Sequence, residues 1–261
     1  MLVLECRWPC LGQRHRFMEV MTMSTPATSR PPSERAFDGV ATLYDSWFEV
    51  PLGRTVDELE KDLLYRFALL RSGERALDVG TGTGHFAFDL VSRGLVVVGV
   101  DLSTPMLTVA KSKGSAVHLI RGDAAALPLV AESFDLVLSV TALEFVAKPE
   151  QAVQEMWRAV RPGGRLVIGV LNALSPWAWV RQRESRKQET PFTHAHFFYP
   201  WEFVRLLRRL GSVTWSSSVF IGPHGEGLRW AWGLERIGRI VFRPFGALLV
   251  GRVTKWSSAH R

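Results

Sequence analysis

Hydrophobic and polar positions along this chain follow two periods in turn. Nearly unbroken apolar runs fall at Ala76–Val79, Leu95–Val100, Val117–Arg121, Phe134–Val140 and Arg165–Leu171. Runs of this length suit strands covered on both faces. Between them the apolar residues take helical spacing. Residues 55–70 place Leu59, Leu63, Leu64, Phe67 and Leu70 on one side, and 149–160 does the same with Val153, Met156, Trp157 and Val160. Arg161-Pro-Gly-Gly is a helix stop. Residues 37–49 also carry helix-spaced apolar positions, whereas 125–133 has no helical period. Beyond the fifth run, Trp201–Leu210 reads as a helix, Ser212–Ile221 as a sixth strand and Phe245–Val253 as a seventh. Strands alternating with helices predict an α/β domain around a mainly parallel sheet.

The first strand runs into a glycine-rich turn, R-A-L-D-V-G-T-G-T-G-H-F-A over 75–87. Strand, glycine turn and helix start together form a nucleotide site, because glycine lets backbone N–H groups approach a ligand. A dinucleotide fingerprint counted from Gly80 would need glycine at position 85, which is His85. Asp78, just before the turn, disfavours a pyrophosphate and suits a ligand with an ammonium and a sulfonium. Both details point to S-adenosylmethionine rather than NAD. Asp101 lies 21 residues after Gly80 at the tip of the second strand. An acid there accepts from both ribose hydroxyls, although it reads also as a helix cap or turn residue before Ser103.

The stretch L-D-V-G-T-G-T-G resembles motif I of the class I S-adenosylmethionine-dependent methyltransferases. V-V-V-G-V-D-L-S (97–103 with its preceding valine), the block from Gly122 to Ser139, and R-A-V-R-P-G-G-R-L-V-I-G-V (158–170) are similar to the family's later blocks in order and spacing. Within it the chain most resembles the subgroup holding the ubiquinone and menaquinone C-methyltransferases. The resemblance covers roughly 36–170 well. It implies a Rossmann-like, doubly wound seven-stranded sheet of order 3-2-1-4-5-7-6, its last strand antiparallel, with an N-terminal helical lid. The implied division is lid helices 36–72, cofactor-binding core 73–171, acceptor insert 172–199, and C-terminal helices and strands 200–255. The implied cofactor residues are Tyr44, Asp78, Gly80, Thr81, Gly82, Gly84, Asp101, Leu102, Met106, Asp123, Ala124 and Val140. Among these Tyr44 lies over the cofactor, Leu102 and Met106 line the adenine, Asp123 accepts from its amino group and the Ala124 N–H donates to the ring. Relatives often carry a histidine pair near 143–145, where this chain has Leu143-Glu144-Phe145. No catalytic base is assigned; Glu144, His194 and His196 are the weak candidates, Glu144 reading more readily as a solvated helix-start residue and the histidine pair also as part of a metal site that lacks a further ligand. No metal is expected.

Charge is unevenly spread. Residues 37–157 hold 10 basic and 17 acidic side chains, whereas 158–261 hold 17 and 5. The basic C-terminal part could attract an anionic membrane face, an acidic substrate or nucleic acid. Gly227–Phe242, with Trp230, Trp232, Arg229, Arg236 and Arg239, suggests an interfacial helix or an ordinary packed one. The insert's aromatics (Trp177, Trp179, Phe192, Phe197, Phe198 and Tyr199) suit an apolar or aromatic small-molecule acceptor, with about half expected in the core. A nucleic-acid methyltransferase is the alternative, against which stands the absence of an Asn/Asp-Pro-Pro-Tyr motif. A non-catalytic S-adenosylmethionine-binding protein is a further one. Cys6 and Cys10 are the only cysteines, which leaves the domain without a disulfide framework and fits a cytoplasmic setting. Residues 1–35 read as a disordered or misassigned extension, rich in Ser, Thr, Pro and Arg from Ser24, with Met18, Met21 and Met23 as alternative starts.

Overall fold

The computed structural model describes residues 35–256, so the expectations for 1–35 fall, but for one residue, outside the described residues. Seven strands form one sheet in the order β3-β2-β1-β4-β5-β7-β6. They are β1 (Arg75–Val79), β2 (Val96–Asp101), β3 (Val117–Arg121), β4 (Phe134–Val140), β5 (Val160–Leu171), β6 (Val213–Ser218) and β7 (Leu248–Thr254). The pairs from β3 through β5 are parallel, and β7 runs antiparallel to both β5 and β6. The central β4 is buried along its whole length, which is why its sequence shows no alternation.

Residue alternation in each strand splits the core in two. Leu77, Val79, Val137 and Ile168 face one side, where α4 (Pro149–Ala159) and α6 (Pro200–Arg208) supply Val153, Met156, Phe203 and Leu207. Ala76, Leu136, Leu138 and Val167 face the other, against Leu63 and Leu64 of α1 (Pro51–Ala68) and Leu90 of α2 (His85–Ser92). Each such side chain contributes roughly 1.5–3 kcal/mol by leaving water. The remaining helices are α3 (Thr104–Ser112), α5 (Pro176–Ser185) and α7 (Ala231–Val241).

Three expectations need correction. Residues 38–40 and 44–49 are short 3₁₀ turns rather than a helix, and α1 starts at Pro51 instead of Thr55. Nor is α1 a lid helix. Its Leu59, Leu63, Leu64 and Ala68 are fully buried on the sheet, so only the turn segment before Pro51 overlies the cleft. Third, β5 begins at Val160, because Val160 pairs with Phe134 before an irregularity over Arg161-Pro-Gly-Gly restores the register at Arg165 and Leu136. The buried Arg165 guanidinium then bonds the carbonyls of Ala68 and Leu69 and both carboxylate oxygens of Glu74, fixing the end of α1 to the sheet.

Candidate functional site

At the carboxyl ends of β1, β2 and β4 the chain opens into a cleft, where open α/β sheets bind ligands. Its floor is the glycine turn. The Gly80 and Thr81 N–H groups donate to the Val100 carbonyl at 2.8 and 3.0 Å, locking β1 to the end of β2. Gly80 sits at φ +77°, and a Cβ there would come within 2.2 Å of the Ala142 Cβ. Only glycine fits. The Gly82 N–H donates to Asp101 Oδ2 at 2.7 Å, and the Ser103 N–H donates to Oδ1 at 2.8 Å. Burial holds the Asp101 carboxyl above its ordinary range.

The segment before α1 is pinned over this floor. Ser103 Oγ donates to Asp38 Oδ1 at 2.5 Å, Thr83 Oγ1 to Asp45 Oδ1 at 2.7 Å, and Lys113 pairs with Asp45. These ties bring Phe37 and Tyr44 to the rim, with ring centroids 5.6 Å apart, and Phe37 meets Phe145 edge-on at 5.0 Å. The Tyr44 hydroxyl is pushed up by burial and by the nearby acids Glu60, Asp45 and Asp101.

Of the residues singled out from sequence, Tyr44, Gly80, Thr81, Gly82, Asp101, Leu102, Met106, Asp123, Ala124 and Val140 all line this one cleft. Asp78 and Gly84 do not. Asp78 is buried behind the turn, accepts from Thr81 Oγ1 at 2.8 Å, and is pushed by burial to about 7. It holds the turn's shape from beneath. Gly84, at φ +80°, starts α2. Asp123 spends Oδ1 on the Ala125 N–H in a turn. None of the weak base candidates reaches the cleft. Glu144 is buried and accepts from the Leu171 N–H, His196 pairs with Glu202 on the surface, and His194 is exposed. Among the described residues no three His, Cys, Asp or Glu side chains gather as a metal site.

Sequence reasoning missed several groups at or near this site. Asp38 and Phe37 reach the cleft through 3₁₀ turns where the apolar spacing predicts a helix. His85 lines it too, stacked on Phe48 at 3.7 Å with Nε2 2.6 Å from Asp57. Glu60 and Arg181 face Tyr44 from α1 and α5, and burial pushes Glu60 to about 8. Their separation in sequence from the turn left no signal. Of the insert's six aromatics, Trp177, Phe197 and Phe198 are buried in the core, Trp179 and Tyr199 are exposed, and Phe192 stacks toward Phe37 and Phe145.

The donor set fits a nucleoside bearing two adjacent hydroxyls. Backbone N–H groups of Gly82, Leu102 and Ser103 hold the Asp101 carboxyl at the edge of the cleft, which it lines beside the apolar walls of Leu102, Met106 and Val140. A broader open basin lies at the opposite, amino ends of β1 and β4, among Arg71, Glu74, Asp135 and Arg161. Its lining is charged and polar, with no apolar wall for a ring, so the narrower cleft is the candidate site.

Known proteins bear on this geometry. The family described as "Methyltransferase domain" matches residues 77–168. An uncharacterised protein of Methanocaldococcus jannaschii is 32% identical over 181 residues, which is 67% of this chain and 80% of that one. A demethylmenaquinone methyltransferase of Beutenbergia cavernae is 39% identical over 66% of this chain and 66% of its own length. Among solved structures, an S-adenosylmethionine-dependent methyltransferase of Thermotoga maritima, titled a possible histamine N-methyltransferase, superposes with a TM-score of 0.66 at 28% identity, covering 85% of this chain and 99% of its own.

Proposed function

This chain belongs to the class I S-adenosylmethionine-dependent methyltransferases, and from that premise we propose that its methyl acceptor is a small apolar or aromatic molecule. One observation carries the proposal: the rim beside the cofactor cleft is built of Phe37, Tyr44 and Phe145, with Phe192 of the insert behind them. Aromatic walls of this kind favour a flat guest.

Bound in this cleft, the cofactor supplies an electrophilic methyl carbon. The protein's part is alignment and exclusion of water. Asp101 is placed to hold the ribose, the glycine turn lets the backbone approach, and the pinned segment from Phe37 to Tyr44 covers the reaction. A proton acceptor is needed only where the acceptor must lose a proton during attack. The relation to a demethylmenaquinone methyltransferase supports a quinone-like ring as one such guest.

The test is transfer of labelled methyl from S-adenosylmethionine into a cell extract, followed by partition. Label in an organic, lipid-soluble fraction agrees with the proposal. Label confined to RNA or DNA would overturn it in favour of a nucleic-acid methyltransferase.

We also propose that α7 rests on a lipid surface. No helix among the described residues is long and apolar enough to cross a membrane. Yet α7 and its flanks expose Trp230 (63%), Ile237 (56%), Ile240 (84%) and Val241 (64%), alongside Trp232 and Phe242. Tryptophan and branched aliphatics beside exposed Arg229 and Arg236 suit an anionic headgroup region.

A further inference from the structure

One half-buried cation near the cleft has only aromatic rings as close partners, and it bears on what the acceptor must carry. Arg181 lies on α5, one turn after Trp177. Its guanidinium carbon is 5.3 Å from the Trp177 ring and 4.7 Å from the Phe192 ring, so the cation is framed by two aromatic faces. The frame is rigid. Trp177 Nε1 donates to the Ile221 carbonyl at 2.8 Å, and its ring meets Trp47 edge-on. Phe192 in turn lies 6.2 Å from Phe37 and 6.3 Å from Phe145, both of which line the cofactor cleft. Arg181 therefore stands one aromatic layer beyond the cofactor.

Its hydrogen-bonding capacity is unspent. Elsewhere in the fold, Arg165 is paired with Glu74, and Arg239 with Glu235 and Asp62. Among the described residues Arg181 forms neither a salt bridge nor a hydrogen bond. The groups that face it are Glu60 from α1, Glu144 from the turn after β4, Tyr44 from the covering segment and Glu184 of its own helix. Glu144 spends one oxygen on the Leu171 N–H, and its other oxygen is buried without a partner. Burial disfavours charge on both acids, raising Glu60 to about 8 and Glu144 to about 7, and neither forms an ion pair with Arg181.

Resting on the methyl-acceptor reading above, we propose that Arg181 is the specificity residue of the acceptor site and that the acceptor carries an ionised oxygen, a carboxylate or an ionised phenol, on an aromatic frame. A guanidinium presents five N–H donors in a planar fork that matches such an oxygen pair. The rings of Phe192 and Trp177 flank that fork and leave its N–H edge open to a ligand. An aromatic anion would then lie with its ring among Phe37, Phe145 and Phe192 and its oxygen on Arg181.

The test uses the full chain saturated with S-adenosylhomocysteine. 2-Naphthoate and its neutral isostere 2-naphthamide are titrated by tryptophan fluorescence, and 4-nitrophenol by the absorbance of its phenolate. Wild type, Arg181→Gln and Arg181→Lys are compared. The expected result is at least about tenfold tighter binding of an anion over its neutral form in wild type, a ratio near one in Arg181→Gln, and an intermediate ratio in Arg181→Lys. Preference for naphthoate identifies a carboxylate acceptor; a bound nitrophenol ionised at lower pH than in water identifies a phenolate. No anion preference in wild type, or one that survives Arg181→Gln, overturns the proposal. Should the glutamine variant lose S-adenosylhomocysteine binding through misfolding, the wild-type ratio and Arg181→Lys decide. Failure of wild type to bind S-adenosylhomocysteine would instead strike at the cofactor reading, so the two failures are distinguishable.

Discussion

Asp78 and Asp101 are both acids beside the glycine turn, yet burial and partners give them different work. Asp101 opens to the cleft, whereas Asp78 is closed off and braces Thr81. From sequence Asp78 reads as facing the ligand's ammonium and Asp101 its ribose; only the third dimension shows that Asp78 lies buried behind the turn while Asp101 lines the cleft. A pH dependence follows for Asp78. Its carboxyl is raised from 3.8 to about 7 in the fold, so the folded state keeps a proton that the unfolded chain has already lost. The contribution is unpenalised below about pH 4 and is lost as pH rises toward 7, a few kcal/mol over that window. Urea unfolding of the ligand-free protein from pH 4 to 8 should therefore show stability falling less steeply in Asp78→Asn than in wild type. An unchanged slope would remove Asp78 from the explanation and leave Glu60 and Glu144 as its source.

At the scale of elements, the sheet was legible because the central strands β1, β2, β4 and β5 are mostly apolar and α1 and α4 carry a buried stripe. The helix–strand boundary at Val160 was not, since one valine serves as the last residue of a helical pattern and the first of a strand, and pairing with Phe134 settles it. The covering segment was half legible. Tyr44 was found through its resemblance, but Asp38 and Asp45 act by single hydrogen bonds to Ser103 and Thr83 that leave no pattern. Helix α7 shows a different limit. Its sequence fits a packed or an interfacial helix alike; the fold anchors it through Glu235 and Arg239 while leaving Ile237, Ile240 and Val241 outward. Vesicles of phosphatidylglycerol should sediment the wild-type protein more than vesicles of phosphatidylcholine, and Ile237→Asp with Ile240→Asp should abolish most of that binding. Equal behaviour of variant and wild type would rule out this face as the contact.

Across the whole molecule, acidic and basic parts divide along the chain as the residue counts indicate, and the cleft sits where the ends of β1, β2 and β4 meet the covering segment. Ten of the twelve residues inferred for the cofactor converge there from sequence positions as far apart as Tyr44 and Val140. The proposed acceptor side was less legible: Phe192 was among the insert aromatics singled out, but Glu60 and Arg181 come from a core helix and an insert whose relation to the turn exists only in the folded chain. The cleft is proposed as the S-adenosylmethionine site, with Asp101 as its ribose anchor. The most direct test is calorimetric titration of S-adenosylmethionine, S-adenosylhomocysteine and NAD into wild type and Asp101→Asn. Binding of the first two and not of NAD, weakened roughly 10- to 100-fold in the variant through loss of a charge-assisted hydrogen bond, is the predicted result. Equal affinity in a folded Asp101→Asn variant, or binding of NAD in preference, would contradict it.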